Sequence, residues 1–290
     1  MTNALEIGGI SKSFGSHKAI ENITFQVKKG EIFGFLGPNG AGKTTTIRCL
    51  MNFITPDTGK IKVLGQDAQA SSVAVKNMIG YVASDHHLVE KWTAREHIDY
   101  IVHLRGAGGD YRGLLKQFSL DLDRRVKVLS TGNRQKLNLI LGLIGEPKVL
   151  VLDEPTQGLD PLFQNEVYRV LEDFRESGGT VFISSHNLAE VQRICERVAI
   201  INQGRLVAVE NLESLRQKAQ YVVRVRSAKP LPKSVLQSDQ ITIRSQAEHE
   251  VTFLVRGDLN LVVKMLAKHK LSDLEIAHAS LEEVFLEMYS

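Results

Sequence analysis

Two cysteines, Cys49 and Cys195, are all that the 290 residues contain. Two thiols cannot build a disulfide framework, and no metal-ligand spacing surrounds either one. A reduced, cytosolic setting is the expectation that follows. Net charge is equally scarce at +3, too little to make nucleic acid or anionic lipid the main partner. Long apolar runs are missing too. The longest, Leu139 to Ile144, falls far short of the ~20 residues that cross a bilayer. The start, MTNALEIGGISKSFG, has neither the basic head nor the apolar middle of a secretory signal. No internal repeat or low-complexity tract interrupts the chain. Together these absences exclude a disulfide scaffold and a membrane-spanning chain. Any membrane role has to run through a partner.

What is present is an ordinary globular composition, 43% hydrophobic and 24% charged, long enough to bury a substantial core without staples. Residues 5–8 and 20–28 read as strands, the second alternating from Ala19 to Val27. Glu31 to Leu36 is an apolar run followed at once by GPNGAGKTT and a helix from Lys43 to about Asn52. Strands are expected at Lys60–Leu64, Ile79–Val82, Lys148–Leu152 and Thr180–Ser184. Helices are expected at Thr93–Leu104, Tyr111–Phe118, from Ser130, and at Pro161–Glu176. Buried strands alternating with helices imply an α/β core with a largely parallel sheet. After Val209 the texture changes to a linking helix (Leu212–Ala219), short strands (Tyr221–Val225, Ile241–Arg244, Val251–Val255, near Leu274–Ala277) and helices at Leu259–His269 and Leu281–Met288. That tail reads as a small α+β domain.

Two motifs carry chemistry. Gly37-Pro38-Asn39-Gly40-Ala41-Gly42-Lys43-Thr44, with Thr45 following, matches the phosphate-binding pattern G-x-x-x-x-G-K-[ST] in full. Glycines let backbone N–H groups curl around phosphate oxygens without Cβ clashes. The helix beginning there turns its positive dipole end to the same phosphates. Lys43 adds a point charge, and the Thr44 hydroxyl is a hard ligand suited to Mg²⁺. KVLVLDEP then ends an apolar strand in Asp153 and Glu154, at the sheet edge where α/β folds hold ligands. Asp153 suits Mg²⁺, and Glu154 can polarise the water that attacks a γ phosphate. Read alone, the pair is also a plausible acidic start to a helix.

LSTGNRQKL, Leu129 to Leu137, by itself is a helix capped by Ser130, with Gly132 permitting close backbone approach. Lying between the other two motifs, it makes the chain resemble the ATP-binding cassette (ABC) ATPases, whose signature loop is LSGGQ-like. Here the third and fifth signature positions differ, while Ser130 and Gly132 match. The resemblance implies a P-loop ABC-ATPase core at 1–210, with a mixed sheet and a helical subdomain at about 84–146, and a small α+β accessory domain at 211–290. It implies that ATP is sandwiched between two subunits, with Ser130 and Gly132 reaching the partner's γ phosphate. It makes Gly158-Leu159-Asp160 the loop linking the two sites and His186 the residue that contacts the γ phosphate. Phe14 becomes the aromatic that stacks on adenine. Each has a local alternative: Phe14 as core, and His186 merely preceding a capping box of Asn187 and Glu190.

One departure concerns the metal. Where the family usually carries Gln after the strand GYV, this chain has Ser84, a shorter and weaker ligand, then Asp85. The neighbouring His86 and His87 read as a solvated loop, not a metal site. The stretch between Gly106 and the signature is short for the family, so a trimmed helical subdomain is expected. The ending LEEVFLEMYS looks like the drug-resistance and antibiotic-exporter branch. The implied function is an ATP-hydrolysing subunit, with ATP and Mg²⁺, that drives a membrane permease from the cytoplasmic face. The implied partners are that permease and a second ATPase subunit, identical or different, with no nucleic acid. A soluble relative acting on ribosomes or DNA fits less well, because there is one P-loop and no heptad run.

Overall fold

The computed structural model describes residues 2–84, 88–106, 113, 115, 118–213, 221–228, 230–232, 241–255 and 258–278. Asp85, His86, His87, most of the helix expected at 111–118, most of the linking helix and all of the helix expected at 281–288 lie outside the described residues. The chain divides into two compact units, Met1–Leu212 and Glu213–Ser290.

The first unit holds two sheets. Strands β1 (Asn3–Phe14), β2 (His17–Lys28), β4 (Thr58–Val63) and β5 (Gln66–Asp67) form an antiparallel sheet in the order β2-β1-β4-β5. Along β2 buried and exposed residues alternate, as expected of a sheet with one wet face. Strands β3 (Ile32–Leu36), β6 (Ile79–Val82), β7 (Val149–Asp153), β8 (Thr180–Ser185), β9 (Arg197–Asn202) and β10 (Arg205–Asn211) form the second sheet in the order β10-β9-β3-β8-β7-β6. All its neighbours run parallel except the β9–β10 hairpin. Every residue of β3, β7 and β8 is buried, which is why these segments read as unbroken apolar runs. The sheets meet through aromatic packing. Phe25 of β2 stacks on Phe33 of β3 and Phe182 of β8, with ring centroids 5.5 and 5.8 Å apart.

Helices α1 (Lys43–Leu50), α2 (Ser72–Met78), α3 (Ala94–Arg105), α4 (Thr131–Leu143), α5 (Pro161–Glu176) and α6 (Leu188–Ile194), with a short 3-10 turn at Val126–Val128, complete this unit's described elements. Thr93 and Glu96 form a reciprocal capping box at the start of α3. Ser130 caps α4 by accepting from the Asn133 N–H, and Asp160 caps α5 by accepting from Phe163 N–H ahead of Pro161. Helix α4 lies tight on the sheet edge: a Cβ on Gly80 of β6 would collide with the carbonyl of Gly142. Helix α2 and the β9–β10 hairpin are elements that the apolar pattern did not single out.

The second unit is an antiparallel sheet of β11 (Tyr221–Ser227), β12 (Ile241–Gln246), β13 (Glu250–Val255) and β14 (Leu271–His278), ordered β12-β13-β11-β14. Helix α7 (Leu259–Leu266) joins its buried Val262 and Leu266 to a core of Val223, Val225, Val251, Phe253 and Val255. The helix is shorter than the expected 259–269. Its first turn is capped by Asp258, which accepts from Asn260 N–H.

Candidate active site

Four neighbouring parallel strands end along one edge, and each releases a site segment there. Gly37 follows β3, Ser84 lies two residues beyond β6, Glu154 follows β7 and His186 follows β8. This is the carboxyl edge at which open α/β sheets bind ligands.

The loop after β3 has a geometry only its glycines permit. A Cβ on Gly37 would strike the Ile201 carbonyl oxygen. Gly42 has φ 106°, and a Cβ there would lie 2.6 Å from Ile20 Cγ2 and 2.8 Å from the Ala19 carbonyl. Gly42 is also the N-cap of α1, where no side chain caps the helix. First-turn N–H groups without a side-chain cap are suited to an anion. Beside this helix start lies a cavity of about 340 Å³, lined by Phe14, His17, Ala19, Asn39, Gly40, Gly42, Lys43, Thr44, Thr45 and Glu154. Phe14 is 51% exposed and pairs with His17 across the hairpin, which brings both rings to the cavity.

Lys43 is 4% exposed and donates to the carbonyls of Gly37 (2.7 Å) and Pro38 (3.1 Å). It also pairs with Glu154 Oε1 at 3.0 Å. The other carboxylate oxygen, Oε2, lies 2.8 Å from His186 Nδ1. An ionised carboxylate only accepts, so this bond requires the proton on Nδ1. Glu154 is therefore held between a buried ammonium and an imidazole. Its backbone has φ 50°, a region that non-glycine residues rarely adopt. Strain of this kind costs about 1–3 kcal/mol and persists only where the surroundings over-determine it. Here the Glu154 N–H donates to Ser184 Oγ at 3.1 Å, and Ser184 Oγ donates to Asp153 Oδ1 at 2.6 Å. Asp153 is fully buried, and its Oδ2 has no hydrogen-bond partner among the described residues.

A second layer ties these loops together. Glu190 is buried and accepts from Thr156 Oγ1 and Ser185 Oγ, each at 2.5 Å. Burial raises the pKa of this carboxyl above its usual range, against the lowering effect of the two hydroxyls. Beside Thr156, burial pushes the Tyr168 hydroxyl up to about 12. The capping box that Asn187 and Glu190 offer as a local alternative does not form. Asn187 caps α6 through its own side chain, accepting from Ala189 N–H, while Glu190 turns inward to Thr156 and Ser185.

The structure thus brings together Phe14, Asn39, Gly40, Gly42, Lys43, Thr44, Thr45 and Glu154 around one cavity, with His186 on Glu154 and Asp153 one residue away. Gly37 and Pro38 lend their carbonyls to Lys43, and Ala41 is buried beneath the loop. Val82 pairs with Leu152, so Ser84 follows its strand at the same sheet edge as Asp153 and Glu154. Ser130, Gly132 and Asp160 do not line the cavity; they sit at the starts of α4 and α5. Sequence reasoning missed His17, Ser184, Ser185, Thr156 and Glu190. The paired serines ending an otherwise apolar β8 were the available signal for two of them.

Comparison with known proteins agrees with this geometry. The family profile described as ABC transporter matches residues 20–157. The ABC transporter ATP-binding protein YhcH of Bacillus subtilis (strain 168) is 30% identical over 99% of this chain and 96% of its own length. The daunorubicin resistance ATP-binding protein DrrA3 of Streptomyces coeruleorubidus is 35% identical over 73% of this chain and 70% of its own. A solved ATP-binding subunit of an ABC transporter superposes with a TM-score of 0.68 at 28% identity, covering 74% of this chain and 92% of that one. With likeness extending over nearly its full length and a complete phosphate loop beneath it, this chain belongs to the ABC transporter family as an ATP-binding ATPase subunit.

Proposed function

We propose that Lys43, Glu154 and His186 form the hydrolytic centre of this ATPase, and that its turnover drives an exporter through a separate membrane permease. The observation that carries the site is the single carboxylate, Glu154, held by Lys43 at 3.0 Å and His186 at 2.8 Å at the mouth of the phosphate loop.

In this reading Gly37 to Thr45 cradle the phosphates, and Phe14 stacks on the adenine ring. Glu154 takes a proton from a water whose oxygen attacks the γ phosphorus. The bond from that phosphorus to the bridging oxygen breaks, its electron pair stays on ADP, and inorganic phosphate leaves. Lys43 has three donors, of which two serve Gly37 and Pro38 and the third faces Glu154. A γ phosphate competes for that third donor, so arrival of substrate frees one oxygen of the base. His186 keeps the other oxygen oriented and offers its second nitrogen to the phosphate.

Mg²⁺ fits the donor set. Asp153 has a buried oxygen without a partner among the described residues, Thr44 lines the cavity at the phosphate loop, and Ser84 follows the adjacent strand. These three would hold the ion, which offsets phosphate charge.

Two subunits, identical or different, share each ATP, with Ser130 and Gly132 of one facing the phosphate held by the other. Gly132 supports this: a Cβ there would only reach ordinary contact, 3.7 Å, with Phe163, so the chain's own packing does not require glycine. Asp160 caps α5 and presents Gly158-Leu159 to the partner. Residues 1–210 act as the ATPase domain and 211–290 as an accessory domain that adjusts the dimer. The permease holds the assembly at the cytoplasmic face of the membrane, and nucleic acid is not a partner. Export rests on the likeness to a protein named for daunorubicin resistance.

The test is Mg²⁺-dependent ATP hydrolysis by the purified chain and by Glu154→Gln over a range of protein concentrations. The expected result is wild-type turnover that rises faster than linearly with protein, and a loss of about 10²-fold or more in the variant. Full turnover by Glu154→Gln moves the base elsewhere, and linear turnover at concentrations where gel filtration shows only monomer rules out a site shared between identical copies.

A further inference from the structure

Glu190 is a buried carboxyl group that the hydrolytic step does not use. It lies 4% exposed on α6, and its two oxygens are spent on two different loops. Thr156, two residues after Glu154, donates to Oε1. Ser185, one residue before His186, donates to Oε2. Both hydroxyl residues are themselves buried, at 6% and 2% exposure. Ser185 is tied further, since its Oγ accepts from Asn187 N–H at 2.9 Å.

We propose that Glu190 is a positioning residue: it clamps the segment after β7 to the segment after β8, and so sets the separation at which His186 meets Glu154. This rests on the reading of Glu154 and His186 given above. The plainer account, a helix-capping glutamate, is contradicted by the bonds themselves, because Asn187 caps its own helix. The clamp acts where alignment is fragile. Glu154 occupies a backbone region with φ 50°, and the His186 side chain is 43% exposed and holds Glu154 through a single contact. A shift of about 1 Å between reacting groups lowers rates on the order of 10²-fold. No residue lining the phosphate-loop cavity lies on α6, and His186 is the one clamp-dependent contact to ATP, so affinity depends on the clamp far less than turnover does.

The prediction separates turnover from affinity in the full chain. Glu190→Ala lowers kcat by about tenfold to a hundredfold, while ATP affinity stays within about threefold of wild type. Glu190→Gln has the same shape, accepts from one hydroxyl and donates to the other, and restores kcat to within about threefold. Thr156→Val removes one arm of the clamp and falls between wild type and Glu190→Ala. Should Glu190→Ala fail to fold, Thr156→Val and Glu190→Gln carry the decision. Wild-type kcat in Glu190→Ala or Thr156→Val overturns the clamp, as does a parallel loss of affinity and kcat, or a Glu190→Gln variant as impaired as the alanine. Glu154→Gln, assayed beside them, distinguishes the two ideas. If it turns over normally, the site reading fails. If it is inactive while Glu190→Ala is normal, only the clamp fails.

Discussion

The two units bury very different things. Among the described residues, Glu31, Lys43, Asp153, Ser184, Ser185 and Glu190 are among the polar or charged side chains buried in the first unit, whereas the second buries only Ser227. The second unit is held by Val223, Val225, Phe253 and Val262 on the helix side of its sheet, with ion pairs such as Arg226–Glu250 on exposed residues. Burying polar groups weakens a fold unless each finds partners. The first unit carries that burden in several places. Asp153, Ser184, Ser185 and Glu190 are buried at the carboxyl edge beside the proposed site, whereas Glu31 and Thr180 are buried at the opposite ends of β3 and β8, where Arg197 and the Gly30 N–H partner them. The second unit carries almost none of it, and its interior reads as packing. Buried polarity is thus concentrated in the unit that holds the phosphate loop, without by itself marking the site.

Several experiments sharpen or break that contrast. The largest effect is expected from Lys43→Ala, which removes the buried ammonium from both the phosphate loop and Glu154. Turnover should fall on the order of 10²–10³-fold, with weakened ATP binding. Unchanged affinity in a nucleotide titration would sink the phosphate assignment. Next come two aromatic truncations. Phe25→Ala, between the sheets of the first unit, and Phe253→Ala, in the core of the second, should each cost about 3–5 kcal/mol in chemical denaturation. Phe253→Ala should leave ATP hydrolysis near wild type if the second unit only adjusts the assembly. Loss of hydrolysis in that variant would give the second unit a direct part in turnover.

A smaller effect is expected from pH. Burial raises the folded-state pKa of Glu190 above the ordinary carboxyl value of 4.5. A raised carboxyl contributes stability that is fully present below the unfolded pKa and is lost as pH rises through the folded one. Glu190→Gln does not titrate. Its stability relative to wild type should therefore improve as pH rises from below 4.5 through the folded value, measured by thermal melts across that range. A flat difference would show that Glu190 ionises in the folded state as freely as in the unfolded one. The smallest effect belongs to Arg226→Ala. Its pair with Glu250 is exposed at 2.9 Å, and solvent screens such pairs, so the denaturation midpoint should barely move. A clear drop in the midpoint would show that the open sheet face is not simply a solvated surface.

Legibility in the sequence follows the same divide. The phosphate loop and KVLVLDEP could be read because their chemistry is written in consecutive residues, and β3, β7 and β8 because burial on both faces leaves an apolar run. Ser130 could be read as a cap from its place before an apolar helix. The Glu190 contacts were not legible, since Thr156 is 34 residues away and meets Glu190 only through the fold. Local pattern even misled there: Asn187 and Glu190 have capping-box spacing, yet the box forms at Thr93 and Glu96 instead. Helix α2 was missed because Val75 is its one buried residue, which leaves almost no periodicity to detect. In the second unit the strands were readable from β-branched runs, and its one functional signal was a resemblance in the ending LEEVFLEMYS, which lies outside the described residues.

The backbone at Glu154 has an evolutionary consequence. A φ of 50° is comfortable for glycine and tolerable for asparagine, but not for glutamate. Replacing it with one of those residues would relieve the backbone but leave the buried Lys43 without its carboxylate partner. Local backbone preference thus works against glutamate here, and on the role proposed above for Glu154 it is turnover, with the Lys43 pair, that holds glutamate in place.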